Sequence, residues 1–372
     1  MSDFIPVNLP LLNGNEKKYL IDCVDSGWIS SEGAYVKEFE TKFANRMGRK
    51  YGIAVTNGTA ALDVAIDILG LRSGDEVILP TFTIISCIHQ ILRVGAKPVF
   101  VDCDPYTWNI KTDKLEEKIT SKTKAIMVVH IYGLPVDMDP VIDLCKTYNL
   151  KLIEDAAEVI GQNYHEKPCG SFGNVSTFSF YPNKHVTTGE GGMILTDCPD
   201  LADRARSVRN LCFEEGRRFV HNRVGWNLRM TNLQAALGLA QLEQLDDFIV
   251  KKRNIGLKYS KILKDVAGLR LPIESTEYSE NIYWVFGIVL EECIQIDACE
   301  AMSKLHDLGV GCRPFFYPLH LQPLLSSFGI KINETLPSSE YISTNGFYIP
   351  SGLALKDEEI ERVASALIKI LN

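Results

Sequence analysis

The sequence predicts an α/β fold: a mostly parallel central sheet with helices on both faces, followed by a smaller C-terminal α+β domain. Three observations carry that expectation. From about residue 50, short β-rich runs alternate with helix-spaced patterns. After Asp155 the alternation stops, and two strands follow with no room for a helix between them. From Thr231 onward, a capped run of helix formers leads into a second pattern of different grammar.

Taken in order, residues 51–55 form a short apolar run that ends in the turn Asn57-Gly58-Thr59. Leu62, Ala65, Ile66 and Leu69 then recur at helical spacing. Residues 76–79, 97–101, 125–130 and 151–153 read as further strands, and each of the last three is preceded by a segment long enough for a crossover helix. Residues 175–180 and 191–196 are the two closely spaced strands. Thr231 with Gln234 reads as a capping box opening one long helix to about Lys264, long enough to bridge two domains. Beyond it, 283–290 reads as a strand, Asp297 as the N-cap of an amphipathic helix to about Leu308, and 358–370 as a C-terminal helix. A chain of 372 residues exceeds the usual limit of a single core. The expected division is a large domain over 1–250 and a small one over 251–372.

Composition narrows the function. A net charge of -8, with no long block of Lys or Arg, argues against nucleic-acid and anionic-membrane binding. No apolar stretch approaches the roughly 18 residues of a membrane span. The 10 cysteines form no C-x-x-C pair and match no zinc spacing, so no metal site is expected. Met-Ser-Asp-Phe-Ile-Pro-Val lacks the character of an export signal, and scattered cysteines suit reduced thiols in a cytoplasm.

In open parallel sheets, ligands bind at the carboxyl ends of the strands, and three features fall there. Asn57-Gly58-Thr59 sits between a strand and a helix, where free N–H groups, a close backbone approach at Gly58 and the Thr59 hydroxyl suit a phosphate. Taken alone, such a junction is more often structural. Asp155 ends an apolar strand, where an acid needs a partner such as a protonated pyridine nitrogen; taken alone it reads more readily as a helix N-cap. Lys184, in Ser179-Phe180-Tyr181-Pro182-Asn183-Lys184, could bond to an aldehyde if desolvation lowers its pKa, although most lysines are surface residues. The following Thr187–Gly192 stretch matches neither of the common glycine-rich nucleotide loops. Together, a phosphate turn, a strand-end acid and a lysine about thirty residues later fit one ligand bearing a phosphate, a ring nitrogen and an aldehyde.

With these motifs in place, the sequence resembles the DegT-type sugar-nucleotide aminotransferases, which belong to fold type I of the pyridoxal-phosphate enzymes. The resemblance covers nearly the whole chain. It includes Asp75-Glu76-Val77-Ile78-Leu79-Pro80, Lys97-Pro98-Val99-Phe100-Val101-Asp102, His130-Ile131-Tyr132-Gly133, Glu154-Asp155-Ala156-Ala157 and Gly225-Trp226-Asn227-Leu228-Arg229-Met230-Thr231. Trp28-Ile29-Ser30-Ser31 and the run from Arg313 to His320 are similar to the GDP-perosamine synthases of that family.

The resemblance implies pyridoxal 5'-phosphate as cofactor, with Lys184 bonded to it and later moving protons, and Asp155 paired with the ring nitrogen. It implies that Ser179, Gly58 and Thr59 hold the phosphate, with Asn227 reaching it from the other subunit of a homodimer with shared active sites. Glu158 matches a polar position beside the cofactor. Arg229, Arg313, Tyr317 and His320 are candidate substrate contacts, with ordinary interface packing as the alternative. Many relatives place a ring-stacking aromatic at the position of Ile84, so here an aliphatic side chain or Phe82 would cover the cofactor. The implied reaction takes an amino group from glutamate to C4 of a nucleotide-linked 4-keto-6-deoxy sugar, GDP-4-keto-6-deoxymannose by preference and a UDP- or dTDP-4-keto-6-deoxyglucose otherwise. A 3-dehydratase of the same fold is the nearest rival, but those relatives carry His where this chain has Lys184. A non-catalytic ligand sensor is a further rival, and would be expected to lose Lys184 or Asp155.

Overall fold

The computed structural model describes residues 4–213 and 219–371. Its main sheet contains β1 (Tyr51–Val55), β2 (Glu76–Pro80), β3 (Lys97–Val101), β4 (Thr123–Val129) and β5 (Lys151–Asp155). After a small hairpin of β6 (Asn163–Tyr164) and β7 (Lys167–Pro168), β8 (Val175–Ser179) and β9 (Gly192–Thr196) complete it. The order is β1-β9-β8-β5-β4-β2-β3. Strands β2 to β5 and β8 pair in parallel, whereas β9 runs antiparallel to both β8 and β1.

The strands read as near-continuous apolar runs because both faces are covered. Ile78, Ile126, Val128 and Phe178 face one core with α2 (Ala34–Arg46), α5 (Met138–Thr147) and α7 (Asn232–Leu242). Their neighbours Val77, Leu79, Met127 and Val129 point the other way, onto α4 (Ser86–Arg93), as the two-residue period requires. On that same side, Ile53, Val55 and Ile194 pack on α3 (Gly58–Ile68) and α6 (Pro199–Arg209). Near the chain start, α1 (Glu16–Ser26) lies along α7.

A second, antiparallel sheet has the order β10-β11-β13-β12, with β10 (Leu269–Arg270), β11 (Phe286–Leu290), β12 (Arg313–Pro314) and β13 (Gly346–Ile349). Its core joins α8 (Leu245–Leu263), α9 (Ala298–Asp307) and α11 (Asp357–Leu371) through Tyr259, Leu305 and Val363, while α10 (Pro337–Asn345) precedes β13. Residue 250 lies within α8, whose Leu245 and Ile249 belong to the first core and Tyr259 and Leu263 to the second.

Two predicted caps form: Thr231 and Gln234 make the capping box of α7, and Asp297 accepts the Glu300 N–H at the start of α9. At the start of α3 the cap is Asn57, which accepts the Ala60 N–H. Three expectations are corrected. The crossover into β4 contains only the 3-10 turns Thr112–Lys114 and Glu116–Lys118, preceded by a tight turn in which Asp104 accepts the N–H groups of Tyr106 and Thr107. The single long helix is interrupted at Glu243 and Gln244, whose side chains bond to Asn15, Tyr19 and Glu16. The strand expected over 283–290 begins at Phe286, because Tyr283 takes a left-handed backbone (φ 48°).

Candidate active site

The carboxyl ends of β1, β5 and β8 open into a cavity of about 730 Å³. Its inner end is set by β5, where alternation sends Glu154 and Asp155 to opposite faces. Glu154 is fully buried and accepts from the N–H groups of Gly170, Phe172 and Gly173, from the Ser176 hydroxyl and from His130 Nε2. These bonds lock the strand end, so Asp155 is held facing the cavity. Asp155 Oδ1 accepts the Ala157 N–H at 3.1 Å, and Oδ2 faces the Cys87 thiol at 3.7 Å. No helix begins at Asp155, so the N-cap reading of this acid does not hold. Burial pushes its pKa up, against the Ala157 N–H and the charge of Lys184.

Lys184 follows β8 in a turn closed by its own N–H to Tyr181 O at 2.9 Å. Its side chain is 9% exposed, and Nζ lies 3.9 Å from Glu158 Oε1 and 3.5 Å from the centre of the Trp284 ring. Burial lowers the lysine pKa, and the charges of Glu158 and Asp155 oppose that shift. A desolvated amine of this kind spends more of its time neutral and nucleophilic. Glu158 Oε2 accepts the Tyr132 N–H at 2.8 Å. Tyr132 and Gly133 present that N–H through left-handed backbones, φ 55° and 105°. Burial drives the Glu158 carboxyl up to about 7, against the pull of Lys184.

At the other end, α3 points its first turn into the cavity. The N–H groups of Gly58 and Thr59 precede the first intrahelical bond, which Ala61 makes to Asn57 O. A Cβ on Gly58 would come within 2.7 Å of Ser179 Cβ, so glycine keeps open the gap between helix and strand. Thr59 and Ser86 share a hydroxyl contact of 2.7 Å beside it. This cup of N–H and hydroxyl donors suits a dianionic phosphate. The lone pairs of buried Asp155 and the amine of Lys184 suit a pyridinium and an aldehyde. The donor set therefore fits all three functional ends of pyridoxal phosphate.

The structure thus brings Gly58, Thr59, Asp155, Glu158, Ser179 and Lys184 to one cavity. Of the two candidates for the ring face, Ile84 lines the cavity and is half-exposed, whereas Phe82 is buried among Tyr132, Phe315 and Phe316. The expected substrate residues lie elsewhere. Arg229 donates to Asn227 and Asn210, and neither Arg229 nor Asn227 lines the cavity, though Leu228 between them does. Arg313 is exposed on β12, opposite the cavity-lining Tyr348 of β13, and Tyr317 is exposed beyond it. His320 is buried, 2.7 Å from Thr81 Oγ1 and 3.1 Å from Glu340, outside the cavity. The wall that sequence reading missed comes from the second sheet's side: Trp284, Phe316 and Tyr348. Each sits in an apolar run that reads as core, so no local signal separated them.

Comparison with known proteins decides the identity. The profile of the DegT/DnrJ/EryC1/StrS aminotransferase family matches residues 10–368. The chain belongs to this family. It is a pyridoxal-phosphate-dependent aminotransferase with the corresponding α/β fold. It is similar to the GDP-perosamine synthase of Escherichia coli O157:H7, with 42% identity over 98% of each chain, and to that of Vibrio cholerae, with 40% over 99% of each. Among solved structures it is similar to a mutant form of the GDP-4-keto-6-deoxymannose-3-dehydratase ColD with bound GDP-perosamine, at 26% identity and a TM-score of 0.91. That match covers 98% of this chain and 100% of the other. Among the described residues, no cluster of His, Cys, Asp or Glu could hold a metal ion, and no helix is long and apolar enough to cross a membrane.

Proposed function

We propose that the chain transfers an amino group from glutamate to C4 of GDP-4-keto-6-deoxymannose, giving GDP-perosamine. The observation that carries this reading is the buried Lys184 amine, placed beside Asp155 and Glu158 in a cavity with a phosphate cup at its far end. Identities of 40–42% to GDP-perosamine synthases over nearly the full length support the choice of sugar. When bound, pyridoxal phosphate supplies an electron-withdrawing ring that stabilises negative charge on the carbon bearing the amino group.

The chain's own residues do the rest. Gly58, Thr59 and Ser179 bind the phosphate and fix the register of the ring. Asp155 holds a proton on the ring nitrogen. Lys184 Nζ takes a proton from one carbon and returns it to another, which a lysine of lowered pKa does near neutral pH. Glu158, with a pKa near 7, holds or releases a proton next to that amine. Trp284, Phe316 and Tyr348 exclude water from this end.

We further infer a large cofactor domain over 1–250, a small domain over 251–372 and a cytoplasmic homodimer. In that dimer, Asn227 of each subunit completes the phosphate site of the other, and Arg229, Arg313 and Tyr317 meet the nucleotide. The buried bonds of His320 favour a structural role over substrate contact. The dehydratase reading gains support from the likeness to ColD, but Lys184 favours amino transfer.

The test incubates the purified protein with glutamate and the GDP-, UDP- and dTDP-linked 4-keto-6-deoxy sugars in parallel, with mass spectrometry of the products. The expected result is an amino sugar from the GDP substrate, a yellow enzyme absorbing at about 400 nm, and loss of both in Lys184→Ala. A deoxygenated sugar without nitrogen would establish the dehydratase instead, and a colourless wild type would overturn both.

A further inference from the structure

We propose that Trp284 is a positioning residue for Lys184, its indole face serving as the seat of the protonated amine. The proposal rests on the reading of Lys184 as the reacting amine and adds a residue on the second sheet's side of the cavity. Lys184 Nζ lies 3.5 Å from the centre of the Trp284 ring. At that distance a cation sits directly on the electron-rich face, and removal from water strengthens the attraction.

The ring is pinned at both ends. Its Nε1–H donates to Asn183 O at 2.8 Å, so indole and amine are tied to adjacent residues of one turn. Its own carbonyl accepts the buried Lys252 ammonium at 2.7 Å, and that ammonium also donates to Ser351 O. The edge of the ring is thereby tied to the Lys184 turn, and the Trp284 backbone to α8 and the chain leading out of β13.

A proton-carrying amine needs two positions, one from which it reaches the reacting carbon and one where it waits charged. The carboxylates would offer an ionic waiting place, but a close ion pair would hold the proton too firmly for return. The indole face stabilises the ammonium without competing for its proton. Other groups around Lys184 also bear on its titration. They are Asp155 at the end of β5, Glu158 beyond it, Cys87 on α4 and His185 next in the chain, while Tyr132 and Tyr348 on β13 face Glu158. Lys252 lies behind His185. None of these residues changes in a substitution at Trp284; Trp284→Phe keeps an aromatic cover over the amine, and it and Trp284→Leu both lose the Nε1–H bond to Asn183 O.

The test measures the pH dependence of Lys184 carbamylation by cyanate, which reacts with the neutral amine, in the full-length cofactor-free protein by peptide mass spectrometry. Trp284→Leu removes the π face, so the midpoint is expected to fall by about one pH unit; Trp284→Phe keeps a weaker face and should fall by less. The acid limb of the kcat profile of the holoenzyme should move the same way. Should the leucine variant not fold, the phenylalanine variant alone decides by the same sign. Unchanged midpoints in the folded variants, with the wild type still binding cofactor and turning over, overturn the role of Trp284 alone. A wild type that binds no cofactor instead overturns the reading of Lys184.

Discussion

The inner end of the cavity and the outer residues proposed to meet the nucleotide are built on opposite principles. Inside, Asp155 and Glu158 are buried and accept the Ala157 and Tyr132 N–H groups, while Lys184, its side chain 9% exposed, sits in a turn whose N–H donates to the Tyr181 carbonyl. Among those outer residues, Arg313 and Tyr317 are exposed, and Arg229 donates to Asn227 and Asn210. The inner groups meet the cost of desolvation in the folded chain itself, so they are ready before any ligand arrives. The exposed outer groups keep their hydration in the free chain.

Three substitutions can break or sharpen that division. The largest effect is expected of Asp155→Asn, which removes the charge that keeps a ring nitrogen protonated. Its kcat should fall by roughly 100-fold or more with little change in KM, read by steady-state kinetics. A change confined to KM would put Asp155 on the recognition side.

Next is Glu158→Gln, read as stability. The carboxyl titrates near 7 in the folded chain against an ordinary 4.5. Between those values the folded state keeps a proton that the unfolded state releases, so stability falls as pH rises through the window and does not return above it. The loss amounts to about 3 kcal/mol, and the amide has none of it. Thermal melts of the cofactor-free protein from pH 4.5 to 7.5 should show a flatter slope for the variant, and parallel slopes would contradict the burial argument.

Arg313→Ala should be mildest. It removes the proposed contact between Arg313 and the nucleotide, raising KM for the sugar nucleotide by about tenfold with kcat nearly unchanged. A fall in kcat at constant KM would erase the line between the two ends.

The same division explains what the sequence disclosed. Asp155 and Lys184 were legible because their strand ends and turns are local patterns, and β1, β3 and the capping box of α7 were legible for the same reason. Trp284 and Tyr348 were not, because their place in the cavity depends on how the second sheet packs against the first, over separations no local window spans. The break at Glu243 was hidden likewise, since its cause is a bond to Tyr19 at the far end of the chain. Ile84 shows the converse: alignment marked the position, and only the structure shows that Ile84, not Phe82, reaches the cavity.

The antiparallel pairing of β1 with β9 bears on how the protein is made. Tyr51 meets Thr196 and Val55 meets Gly192, so the first strand waits at the sheet's margin for a segment synthesised more than a hundred residues later. Closing so large a loop is slow and entropically costly, and it comes after the local βα units have formed. The turn beginning at Gly58 meets Ser179 only once that closure is complete. A ribosome-bound fragment ending before β9 would therefore lack a vitamin site, and capture of the coenzyme would mark the last act of folding.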